Sequence, residues 1–184
     1  MASAIDTIKT EHANMARVLT VLEETVATLP ADAGPADLEH LHAMVYYIRV
    51  FPDRLHHPKE EKHLFAALRR RAPESAALLA ELEHQHREGG VLLATLDAAL
   101  KGMEAGGPAG LQRLRQETRD YLESQRRHMA TEEREVLPLA RERLTAADWA
   151  DVDHAFAAHS DPLFGENLAT GFQALYRRIT GAKV

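Results

Sequence analysis

HHPKEEKHLFAAL at residues 56–68 and HMATEEREVLPLA at residues 128–140 repeat one pattern within a single chain. Each segment opens on a histidine and has a glutamate doublet that begins four residues later, at Glu60 and at Glu132, before apolar residues follow. Residues four apart on a helix lie one turn above each other, so the histidine and the glutamate can reach one small volume. Each segment therefore predicts a helix that presents a two-residue chelate to the interior.

Two further histidines stand where a helix should present aliphatic side chains. His12 has Ile8 four residues before it and Leu19 seven residues after it, and His86 has leucines at the same offsets. Antiparallel packing of four helices would bring these polar groups to one level of the core. The candidate metal ligands are therefore His12, His56, Glu60, His86, His128 and Glu132.

Burial of such a group of side chains needs a compensating partner. Four imidazoles and two carboxylates that were buried without partners would cost several kcal/mol per charge, and a pair of divalent cations removes that cost. Neutral imidazole and bridging carboxylate are good ligands for iron, manganese or zinc, and carboxylate bridges hold two cations ~3.5 to 4 Å apart. The sequence therefore predicts a two-cation site.

The rest of the sequence predicts an all-α protein. Aromatic residues make up 5% of the chain, and β-branched residues form no alternating run that would favour a strand. Proline and glycine clusters separate four long helical patterns, which predict an antiparallel up-down-up-down four-helix bundle with one or two additional C-terminal helices. Pro52 and Pro58 should kink or loosen the second helix. The four predicted helices run from about 4 to 29, 36 to 71, 73 to 101 and 109 to 143.

The C-terminal quarter of the chain is expected to add helices to this bundle. Thr145 and Asp148 resemble a capping box, which predicts a helix start, and an amphipathic stretch follows after Asp161. We therefore divide the chain into a metal-binding bundle over 1–144 and a helical extension over 145–184. The extension is expected to pack on the bundle or on a partner, including a second copy of the chain in a homodimer.

Composition and charge exclude several classes of function. The formal net charge is -6 and the basic residues form no stripe, so we expect no nucleic-acid partner. Cysteine is absent, which excludes thiolate metal sites and iron–sulfur ligation. No apolar run approaches the ~18 residues that a membrane span needs, and no secretory segment opens the sequence. We therefore expect a cytoplasmic protein without a membrane partner.

Several segments resemble the hemerythrin-like, or HHE cation-binding, domain family over roughly residues 5–143. They are E-H-A-N-M around His12, H-H-P-K-E-E from His56, Q-H-R-E-G-G around His86 and the repeated H-x-x-x-E. The tail D-P-L-F-G at residues 161–165 is similar to tails that follow such domains.

The resemblance implies a non-haem site with two iron ions, or other divalent metals, that Glu60 and Glu132 bridge. One iron would then take the histidines of the first and second helices, and the other iron those of the third and fourth. An open position could bind O2, NO or peroxide, for sensing, stress defence, iron handling or weak redox catalysis. The alternative function is a structural or regulatory bundle that mediates protein contacts with a zinc or mononuclear metal site.

The chain departs from the oxygen-carrying members of the family at two positions. Those members have H-x-x-x-H on the third helix, whereas Gly90 stands four residues after His86 here. Their fourth helix places the carboxylate five residues after the histidine, where this chain has both Glu132 at four and Glu133 at five. The missing imidazole favours sensing, detoxification or iron handling over reversible oxygen carriage.

The sequence leaves several alternatives to the six candidates open. A second histidine and glutamate, also four residues apart, each stand one residue after His56 and Glu60 and form a competing pair. A histidine two residues before His86 competes with His86. The glutamate after Glu132 competes in the same way, and either the overlapping histidine or a C-terminal one could supply an extra ligand. These alternatives are His57 with Glu61, His84, Glu133 and His159.

Overall fold

The computed structural model describes residues 3–165 and 168–181, without the side chains of 104–106. All regular structure in these residues is helical, with no strand, which confirms the predicted all-α class. Within the described residues no helix has the length and apolar character that a membrane span needs. The α-helices are α1 (Ala4–Thr28), α2 (Pro35–Val50), α3 (His57–Lys59), α4 (Ala66–Arg71), α5 (Ala76–Thr131), α6 (Leu137–Arg143), α7 (Ala146–Ala157) and α8 (Gln173–Thr180).

Helix α5 is two helical arms, 76–106 and 108–131, that meet at Gly107. Gly107 has φ 48° and ψ −143°, a conformation that favours glycine because it has no Cβ. His86 on the first arm lies 3.0 Å from His128 on the second, nitrogen to nitrogen, so the chain folds back at this break. The sequence predicted two separate helices around a seven-residue connection, and the structure makes the reversal at one residue.

The second predicted helix is divided by π-helical turns. Pro52–His56 and Glu60–Phe65 are π-helical and flank the short α3, and Glu132–Val136 forms a third π-helical turn after α5. The turn at Pro52 agrees with the loosening expected there. The backbone N–H groups of Leu55 and His56 both donate to the carbonyl of Phe51, at 3.0 Å. Such turns widen a helix and often occur at functional sites. Here they carry ligand candidates on both repeated segments.

The interior consists of two apolar clusters, a small core and a large core, with a polar layer between them. On α1 the chain passes from the small core at Ile8 to the large core at Met15. On the first arm of α5 it passes between the cores from Leu82 to Leu93. On the second and fourth predicted helices the corresponding residues are Leu64 and Phe51, and Val136 and Leu122. All six candidate ligands lie between these residues.

The C-terminal extension packs on the bundle. Thr145 Oγ1 accepts a hydrogen bond from the Asp148 N–H, and the Asp148 carboxylate accepts one from the Thr145 N–H, so the expected capping box begins α7. Phe156 of α7 is buried in the small core, whereas Phe172 and Leu175 are buried in the large core. The extension therefore covers both cores of its own chain.

Asp161 holds the D-P-L-F-G tail against the bundle. Its Oδ1 accepts hydrogen bonds from the backbone N–H groups of Leu163, at 2.8 Å, and Phe164, at 3.1 Å. Its Oδ2 accepts from the Tyr47 hydroxyl at 3.0 Å, and burial raises the pKa of this carboxyl. A Cβ at Gly165 would collide with the Asp161 carbonyl oxygen, so this turn requires glycine.

Candidate metal centre

The six predicted ligands lie together in the polar layer, and each is no more than 9% exposed. They form two groups of four, each with one possible ligand atom per residue within 4.8 Å of the others. Both groups contain Glu60 and Glu132. The first group adds the histidines of α1 and the first π-helical turn, and the second adds those of the two arms of α5. This is the division that the sequence resemblance implied.

In the first group, two imidazoles face the carboxylates. His12 Nε2 lies 3.3 Å from a Glu132 oxygen and 3.8 Å from a Glu60 oxygen. His56 Nε2 lies 3.2 Å from the same Glu60 oxygen. The free nitrogens therefore converge on the space between the two carboxylates.

In the second group, the imidazoles contact the same two carboxylates. His86 Nε2 lies 3.6 Å from the second oxygen of Glu60, and His128 Nε2 lies 3.4 Å from Glu132. Each glutamate thus contacts histidines of both groups, as a bridging carboxylate must.

The donor atoms of this layer fit a pair of cations. Within the described chain, five buried atoms of the layer have no hydrogen-bond partner, and buried polar atoms of this kind are rare in proteins. A cation would accept a lone pair from each of them, and the nitrogen and oxygen donors suit iron, manganese or zinc. The atoms are His12 Nε2, His56 Nε2, Glu60 Oε2 and both carboxylate oxygens of Glu132.

Each of the four predicted histidines also has a partner at its outer nitrogen. This contact fixes the ring and leaves Nε2 free to face the layer, an arrangement typical of histidine metal ligands. Glu61 and Glu133, which the sequence left as alternative ligands, lie on this outer side. The Nδ1 contacts are His56 with Glu11 (2.6 Å), His86 with Glu61 (2.7 Å), His12 with Glu133 (3.0 Å) and His128 with Gln85 (3.2 Å).

Sequence reasoning missed one buried ion pair behind the site. Glu11 is 5% exposed, and its second oxygen lies 3.3 Å from Lys59 Nζ. The Lys59 ammonium also lies over the Phe156 ring, 4.4 Å from its centre, in a cation–π contact. Glu11 directly precedes His12 in the sequence, which was the only local signal for its role.

His57 is a fifth buried histidine of the centre. It is 6% exposed, and its ring stacks on His86 with centroids 4.1 Å apart and planes at 14°. His57, His86 and His128 form a third group whose nitrogens could hold a cation. His84, the other alternative, is exposed. The structure therefore places His57 beside the group in which Gly90 leaves an imidazole missing.

Contacts with carboxylates raise the pKa of two of the buried histidines, whereas burial lowers the pKa of two others. Burial alone disfavours a charged imidazole, but the Glu60 charge and the contact with Glu11 raise the pKa of His56 to about 9. The pKa of His12 is likewise raised well above its usual value, since three carboxylates contact it against the effect of burial. Burial lowers the pKa of His57 and His128 instead. In the absence of a cation, protons thus neutralise the first group.

Comparison with known proteins agrees with this geometry. The family model described as Hemerythrin HHE cation binding domain matches residues 3–140, which include all four chain segments of the site. Uncharacterized proteins of Mycobacterium bovis and Mycobacterium tuberculosis are 27% identical over 178 residues, 96% of this chain and 68% of each relative. The chain belongs to the hemerythrin HHE cation-binding domain family.

Proposed function

We propose that this chain is a non-haem di-iron protein that binds or reduces O2, NO or peroxide. The observation that carries the proposal is the pair of four-ligand groups that share Glu60 and Glu132. The donor set has only nitrogen and oxygen, which suits iron and is compatible with other divalent metals. The role in the cell would be sensing, stress defence or iron handling.

In this proposal Glu60 and Glu132 would help to hold both irons. His12 and His56 would complete the first iron site, and the histidines of the second group would complete the other. His57 would be a further ligand of that second iron, in place of the imidazole that the sequence lacks at position 90. A remaining open position would take the small ligand.

The bound irons would supply one electron each to a ligand such as O2. The surrounding residues hold the ligand side chains in place for this chemistry. The outer carboxylates hold the imidazoles with Nε2 toward the layer, and the two apolar cores limit the entry of water. Lys59 Nζ donates to one oxygen of Glu11, whose other oxygen contacts His56.

The proposal includes the arrangement of the fold around the site. We propose an up-down-up-down bundle over residues 1–144 and a C-terminal extension over 145–184 as the two parts of the chain. The antiparallel pairing of the α5 arms at Gly107 supports the order of the last two bundle helices.

Anaerobic iron loading followed by air tests the proposal. We expect two irons per chain by elemental analysis and a visible charge-transfer band that dithionite removes. His86→Ala should lose most of the band and part of the iron, because the nitrogen that it removes faces both bridging carboxylates. His84→Ala is the matched control, since this exposed histidine lies two residues away on the same helix.

Two results would contradict the proposal. One is a protein that binds no iron and stays colourless under these conditions. The other is His86→Ala protein with the iron content and spectrum of the unchanged chain. A single tightly held zinc after purification without added metal would instead support a structural bundle with a mononuclear site.

A further inference from the structure

A groove of about 330 Å³ lies on the outer face of the first repeated segment, where α7 packs beside it. Six of its lining side chains carry nitrogen, and the other lining residues are apolar. Residues 54–63 contribute four of the six, and α7 with the two residues after it contributes the rest. The six are Arg54, Lys59, Lys62, His63, His154 and His159.

No carboxylate lines this groove, although the chain has 28 acidic and 22 basic residues. Lys59 is neutralised by Glu11 at 3.3 Å, and His63 contacts Asp151 at 2.9 Å. Among the described residues, neither Arg54 nor Lys62 has a carboxylate oxygen within 4.0 Å. Two positive charges therefore face the same groove without an ion pair among the described residues, although the charge of Arg54 interacts with that of the adjacent Asp53.

We infer that this groove binds a small anion that carries a phosphate group. Like charges that line a cleft focus a positive potential inside it and attract anions. Arg54 can donate two hydrogen bonds to one oxyanion, and Lys62 adds a point charge. The imidazoles of His154 and His159 can donate further hydrogen bonds to oxygen.

The size of the groove limits the ligand. A volume of about 330 Å³ is at the lower end of the range for small-molecule sites, roughly 300 to 1,000 Å³, so a single small molecule fits and a polymer does not. The apolar part of the lining can contact a short carbon skeleton. Inorganic phosphate and a small organic phosphate share the chemistry that the groove would recognise.

The groove meets the back of the metal centre at Lys59, but none of its lining residues belongs to the groups that could hold a cation. Two of its histidines, His154 and His159, lie outside residues 3–140, the part that matches the family model. Neither histidine belongs to the groups that could hold a cation. The inference therefore does not depend on the proposed di-iron function, and it can be tested on protein without metal.

Histidine-ring NMR of the metal-free chain tests the inference, with inorganic phosphate and glycerol phosphate as probes and chloride at matched ionic strength as the reference. We expect saturable shifts of the His154 and His159 ring signals with both phosphates. Glycerol phosphate should bind more tightly if the apolar lining contacts its carbon skeleton. His154→Ala and His159→Ala would assign the two signals.

The charge-removing double variant Arg54→Gln with Lys62→Gln should weaken phosphate binding by about tenfold or more, because it removes both unpaired charges. The matched control is Arg113→Gln with Lys101→Gln, which removes two exposed positive charges near the Gly107 reversal and should leave binding unchanged. Circular dichroism would show that both double variants keep the fold. Linear, unsaturable shifts, or equal binding by the two double variants, would overturn the inference.

Discussion

Cation loading should release protons from the site at pH 8, close to one from His56 and a further contribution from His12. At this pH the His56 imidazole, with a pKa of about 9, is roughly nine-tenths protonated in the metal-free chain, and His12 is raised in the same direction. A cation binds only neutral imidazole, so both protons must leave. His57 and His128 add none, because their pKa values are lowered. Five imidazoles with unshifted pKa would release only about 0.2 protons together.

The release also fixes how affinity changes with pH. Each released proton makes the apparent affinity rise about tenfold per pH unit, so two give roughly a hundredfold rise per unit where both imidazoles stay charged. The sign follows from the raised pKa values: a rise in pH removes the protons that compete with the cation. Affinity should therefore be much greater at pH 8 than at pH 7.

Isothermal titration calorimetry with Zn²⁺, a cation without redox chemistry, measures this release. Titrations in buffers that differ in ionisation enthalpy give the number of protons released per chain at full loading. Glu11→Gln should lower this number, because it removes the carboxylate 2.6 Å from His56 Nδ1 that helps to hold the proton. His84→Ala should leave it unchanged, since this side chain is exposed and away from the layer. A release near zero at pH 8, with full stoichiometry, would refute the reasoning.

Two further predictions concern one buried histidine and one helical glycine. His57→Ala should weaken binding of one of two cations by about tenfold or more while the other stays tight, because only the cation beside His86 and His128 would lose a donor. A metal titration against His84→Ala measures this. Gly90→Ala should raise the free energy of unfolding by about 0.5 to 1 kcal/mol in urea denaturation, since a helical glycine with open space gains from a Cβ. Gly89→Ala should gain less, because its Cβ would lie 2.7 Å from the amide of Gln125.

The ligand register could be predicted because it depends on local spacing. The ungapped repeat aligned the two segments, helical periodicity selected His86 over His84, and the structure buries the first and exposes the second. The same periodicity could not decide between His56 and His57. Regular α-helices turn adjacent side chains apart, but π-helical turns lie on both sides of α3, and both rings are buried. A period of 3.6 residues therefore does not predict which side chains are buried where the helix widens.

The residues behind the site could not be predicted because they depend on distant contacts. Glu11 and Lys59 read as ordinary surface charges in the sequence, yet they are 48 positions apart and pair inside the protein. The burial of Lys59 also needs Phe156, which arrives with α7 from outside the family match. Only the packed chain shows that the extension reaches the back of the metal centre.

The division of the interior into two cores has a consequence for how the protein unfolds. In the metal-free chain the polar layer between the two cores consists of imidazoles and carboxylates that contact each other, rather than of apolar side chains. We expect this layer to stabilise the packing of one core on the other less than apolar contacts would. Cations that bind only the folded chain would join four helical segments across that layer and stabilise the native state. We therefore expect one cooperative transition with slow loss of structure in the loaded protein, and earlier opening of one half when a chelator is present.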